Sequence, residues 1–147
     1  MAELALVAGV ALGAKAARDR GKAEKASAFD QARQLEHRAG VTRGASQRAA
    51  VRELDVAENI QSRALALAAA SGAGVTNPTV LNIMADIQAE GEYRSLTQIF
   101  TGEDEARGME AQAKSLRNTG VALARAGDFT AASTILSGVS TWHSRYG

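Results

Sequence analysis

Few side chains in this sequence have the types and spacing for chemistry. The two histidines, His37 and His143, are far apart in the chain, and each reads as a surface or packing residue rather than a general base or a ligand. Three consecutive carboxylates, Glu103, Asp104 and Glu105, could attract a divalent cation. Successive helical residues point about 100° apart, however, so the three share no face. A solvated face, or an acidic first turn capped by Thr101, is the simpler reading. There is no Walker loop, no GxGxxG after a strand, no HExxH and no GxSxG. Without a cysteine there is neither a disulfide nor a thiolate site. The sequence therefore assigns no catalytic residue, no metal site and no cofactor, and the expectation is a protein that is not an enzyme.

The elements that would position any site are helices. Asn77-Pro78 is a capping residue followed by proline at the first helical position, where the missing N–H costs nothing. From there helix is expected to run without another proline to Ala126-Gly127-Asp128, a glycine stop followed by the cap of a short last helix over 128–147. Residues 22–70 are equally alanine-rich and proline-free, with Gly40 and Gly44 leaving a kink open. Ser71-Gly72-Ala73-Gly74 is the clearest turn, so residues 22–127 read as a helical hairpin turning near 71–77. Charge and a glycine at 18–21 suggest a joint that sets off an apolar helix within 1–21. The expected fold is all-α: a long antiparallel hairpin with a short N-terminal apolar helix and a short C-terminal helix, assembling as an oligomer.

The periodicity says how the hairpin would pack. Met109, Leu116 and Leu123 recur every seven residues, and Ala113 and Gly120 fall four places after the first two, which draws a narrow apolar seam with one small flank. Hydrophobic residues make up 46% of the chain but aromatics only 4%, because much of the apolar content is alanine. Alanine favours helix yet buries little area, so a self-sufficient core is hard to build. Sister copies, packed in a ring or tube, would supply the missing burial.

A net charge of +1 argues against a dedicated nucleic-acid binder. The charges are unevenly spread: residues 15–52 hold ten basic and four acidic side chains, whereas 86–110 hold seven acidic and two basic. In a hairpin turning near Val75, residue i faces roughly 150 minus i. Arg43, Arg48 and Arg52 then face the neighbourhood of Glu103, Asp104, Glu105 and Glu110, giving the asymmetry a role in register. A charged surface read by a partner is the alternative.

The ends offer contacts rather than chemistry. The uncharged run 4–14 covers about 16 Å as helix, too short to cross a bilayer core of about 30 Å. Glu3 is the charge before that run, unlike the basic start of a secretory signal. Ala5, Gly9, Gly13 and Ala17 form a small-xxx-small row that lets helix backbones touch, in a buried bundle end or against lipid. Trp142 and Tyr146 beside Arg145 suit an interface anchor, a membrane boundary or packing of the last helix onto the hairpin.

Asn82, Ala85-Asp86, Gly91-Glu92, the run Phe100-x-Gly102-Glu103-x-Glu105-Ala106-x-Gly108, and Ala126-Gly127 with Ala131-Ala132 resemble the body of the small internal virion proteins of tailed bacteriophages, also called ejection or DNA-transfer proteins. The apolar, small-residue N-terminus leading into alanine-rich charged helix is similar too. The resemblance implies a protein packaged in the capsid near the portal, released through the tail, and assembled with further ejection proteins into a conduit for DNA across the host envelope. It implies contact with the portal and the host membrane, and with DNA only by passage. No catalytic residue carries over. The alternatives are a structural virion component, such as a head–tail adaptor, connector or tail accessory that stays in the particle, and a cellular coiled-coil interaction module.

Overall fold

Alanine-rich sequence without interior proline propagates helix at little cost per residue, and the chain uses that freedom to its limit. The computed structural model describes residues 2–72 and 76–146, with side chains described for 9–72, 76–137 and 140. Two helices make up the fold: α1, Ala2–Ala70, and α2, Pro78–Tyr146, each of 69 residues, with no strand among the described residues. They pack against each other as a helical hairpin.

The ends at the turn are set by local chemistry. Gly72, with φ +76°, adopts the left-handed conformation that closes α1, and its N–H reaches the Ala69 carbonyl at 3.2 Å. Asn77 caps α2, its Oδ1 accepting the Thr79 N–H at 2.9 Å ahead of Pro78. The position at Val75, on which the expected turn was centred, lies outside the described residues.

The chain forms two compact units. In the turn-side unit, His37–Met109, the buried residues are Ala39, Ala50 and Ala57 on α1 and Gly91, Ser95, Gly102 and Ala106 on α2. A methyl group added at Gly91 would overlap the Ala57 Cβ, and one at Gly102 would overlap Ser46. In the terminal unit, Met1–Glu36 with Glu110–Gly147, the buried residues are Ala14, Gly21, Ala28 and Ala32 on α1 and Ala113, Gly120 and Ala131 on α2. There a Cβ at Gly127 would come within 2.9 Å of the Ala17 carbonyl oxygen and 3.1 Å of the Gly21 Cα. Every buried hydrophobic residue among those described is alanine.

Several expectations are corrected. No break follows Gly21, because α1 is continuous from Ala2, so there is no separate N-terminal helix. Nor does Asp128 start a new helix, because α2 runs unbroken through Gly127. The physical reason is shared: Gly21 and Gly127 face each other across the seam, where two backbones leave no room for a side chain. Thr101 is no cap but an interior residue whose hydroxyl donates to the Thr97 carbonyl at 2.9 Å. Toward the end of α2 the same back-bonding recurs, with Thr130, Ser133, Thr134, Ser137 and Ser140 donating to carbonyls three or four residues earlier.

The seam makes glycine substitutions diverge. Gly91→Ala and Gly102→Ala should destabilise by about 1–3 kcal/mol through overpacking, despite the better helix propensity of alanine. Gly40→Ala and Gly108→Ala, where nothing lies within 4 Å of the added carbon, should stabilise by roughly 0.5–1 kcal/mol. Thermal unfolding followed by circular dichroism separates the two classes, and equal effects at all four positions would contradict the close approach.

Candidate functional site

Facing positions fix the register of the hairpin. Gly91 with Ala57 and Gly102 with Ser46 in the turn-side unit, and Gly120 with Ala28 and Gly127 with Gly21 in the terminal unit, have residue numbers that add to 148. The register lies two residues from the 150 expected. Of the basic residues assigned to charge pairing, Arg43 meets Glu103 in a two-point bond, with Nε 2.7 Å from Oε2 and Nη2 3.2 Å from Oε1. Glu103 also accepts from Arg107 Nε at 3.2 Å. The Arg43 hydrogen bond, aided by the charges of both arginines, holds the Glu103 carboxyl below its ordinary range.

The other assigned charges lie on exposed positions. Arg48 and Arg52 are exposed, and the Arg52 Nε donates to the Arg48 carbonyl at 3.2 Å. Asp104, Glu105 and Glu110 are exposed on α2. Two cross-helix pairs in the terminal unit had no counterpart in the expected set: Arg117 to Glu36 at 2.7 Å and Arg18 to Asp128 at 3.5 Å. Both follow from the same register, a signal that the turn position alone carries.

The apolar seam differs from its heptad expectation. Ala113 and Gly120 are buried as the contact residues, whereas Met109 and Leu116 are half-buried and Leu123 is 37% exposed. Large side chains flank the line of contact because the small ones let the helices come too close to admit them. An eleven-residue period describes the contact line: Gly91, Gly102, Ala113 and Ala124 on α2, and Ala17, Ala28, Ala39 and Ala50 on α1, are all buried or half-buried. Eleven residues make three turns of about 3.67, closer to a straight helix than the heptad's 3.5.

Of the small-residue row, Gly13 lies 3.6 Å from the Thr134 methyl by the position of its absent Cβ, and Ala17 is half-buried against Gly127. Gly9 has nothing within 4 Å, since each four-residue step rotates the row by about 40° away from the seam. The side chains of Ala5, Trp142 and Tyr146 lie outside those described.

The faces away from the seam are unusually apolar. Tyr93, Leu96 and Phe100 are 69%, 52% and 66% exposed on the turn-side unit, and Phe129 and Leu136 are 78% and 70% exposed on the terminal unit. Beside the Ala57 and Gly91 contact a shallow groove opens, floored by Val56, Ile60 and Ile87 and rimmed by Glu53, Asp86 and Glu90, with Arg94 bound to Glu90 at 2.7 Å. Among the described residues no three His, Cys, Asp or Glu side chains gather as a metal site, and no helix is long and apolar enough to cross a membrane. Comparison with family models, with curated proteins and with solved structures found no match.

The Glu103 carboxyl gives a pH test of register. Its folded-state value lies below the ordinary value of about 4.3, so its contribution is complete above that pH and is lost as pH falls through the folded value. The melting-temperature difference between wild type and Glu103→Gln should hold from about pH 8 to about pH 6 and close as pH falls through the lowered folded-state value. A difference independent of pH would contradict the pairing.

Proposed function

We propose that this chain is an internal virion protein of the ejection type. In this reading it packs side by side with sister copies and with neighbouring virion proteins near the portal, and leaves the capsid to help form a conduit for DNA across the host envelope. The observation that carries the packing role is the inverted placement of apolar bulk: among the described residues every buried hydrophobic side chain is alanine, while Phe100, Phe129 and Leu136 face outward. One alanine methyl contributes on the order of 0.8 kcal/mol when buried, so the large exposed side chains hold most of the burial that association can still gain. The phage setting is supported by the resemblance of residues 82–132 to the bodies of such proteins.

A hairpin whose strongest apolar surface lies outside suits parts that travel separately and assemble again. The buried contacts between its two helices are made at small residues. Its neighbours can therefore be exchanged without opening a large core.

Two measurements bear on this reading. The isolated chain should melt at a temperature that rises with protein concentration; a sharp transition independent of concentration would contradict assembly. Quantitative mass spectrometry of intact particles against particles emptied of DNA should show the chain present in the first and depleted in the second. Equal amounts in both would make it a structural component that stays, such as a head–tail adaptor or connector, and absence from both would remove the virion reading altogether.

A further inference from the structure

Opposite charge surpluses lie on the two units. The turn-side unit holds nine acidic and seven basic residues, whereas the terminal unit holds seven acidic and ten basic. Three carboxylates, Glu53 on α1 and Asp86 and Glu90 on α2, line the groove with one cation, Arg94, which is paired with Glu90. Val56 and Ile60, at 49% and 45% exposure, leave the groove floor open to solvent.

The terminal unit carries the complementary face. Arg125, Phe129 and Leu136 fall at four- and seven-residue steps on α2, so they share one side of that helix. Phe129 at 78% and Leu136 at 70% exposure are among the most exposed large apolar residues described. An apolar anchor next to a cation matches an apolar floor whose rim holds three carboxylates against the single Arg94.

We infer that the groove of the turn-side unit receives the Arg125, Phe129 and Leu136 face of a second copy of this chain. Phe129 seats against Val56 and Ile60, and Arg125 meets the rim at Asp86. Like units side by side would set acid against acid or base against base, which charge repulsion disfavours, so copies associate unlike unit to unlike unit. This inference rests on the packing role proposed above and names the surfaces and the partner that fulfil it.

Self-association of the full chain, measured by sedimentation equilibrium, tests it. Phe129→Ser, Asp86→Arg and Arg125→Asp should each weaken association about tenfold or more, and raised salt should weaken it in the wild type. All three side chains are exposed, and helix content by circular dichroism reports that each variant folds. Combining Asp86→Arg with Arg125→Asp should return association toward the wild-type value. Because the chain has no cysteine, a mixture of Ile60→Cys and Phe129→Cys chains should also form a mixed disulfide under mild oxidation faster than either forms with itself. Association unchanged in every variant, or no preference for the mixed disulfide, would overturn the groove while leaving the packing role in place. A wild-type chain that stays monomeric at about 100 µM would overturn both.

Discussion

Two helix backbones held close enough that a methyl group is too large at Gly91 and Gly102 form the constraint on which the rest depends. Among the described residues, those buried at that contact are alanine, glycine and serine. The contact gains dispersion from many backbone atoms but little hydrophobic burial, because small side chains remove little apolar area from water. The displaced bulk has to stand outside. Tyr93, Leu96, Phe100, Phe129 and Leu136 are exposed for this reason, since room for them between the helices would part the backbones.

The same closeness sets the electrostatics. With small residues at the contact, long side chains on either flank can reach across, as Arg43 does to Glu103 and Arg117 to Glu36. Such half-exposed pairs contribute modestly to stability, but mispairing by one turn would separate each arginine from its acid. Small contact residues alone tolerate sliding, because one alanine resembles the next. The ion pairs and the glycine positions remove that freedom together.

Much of the fold was legible in local chemistry. Asn77-Pro78 marked the start of α2, Ser71-Gly72 the end of α1, and the turn between them fixed the pairing to within two residues. Gly21 and Gly127 misled because a glycine near charged residues is indistinguishable, within its own helix, from a stop. Its meaning lies in the helix opposite, which needs the space. The seven-residue spacing of Met109, Leu116 and Leu123 misled similarly, since large apolar residues attract the eye while the contact belongs to the alanines and glycines beside them. The eleven-residue recurrence of Gly91, Gly102 and Ala113 was present in the sequence and would have located the line of contact. The outward groove was not legible, because Val56, Ile60 and Ile87 come together only once the register is known.

Along the last turns of α2, the hydroxyls of Thr130, Ser133, Thr134, Ser137 and Ser140 each donate to a carbonyl of their own helix. A stretch that reads as polar thus spends its donors internally. Moving residues 130–140 from solvent into a dry environment strands none of these five O–H groups, so their dehydration is far less costly than the serine and threonine content implies.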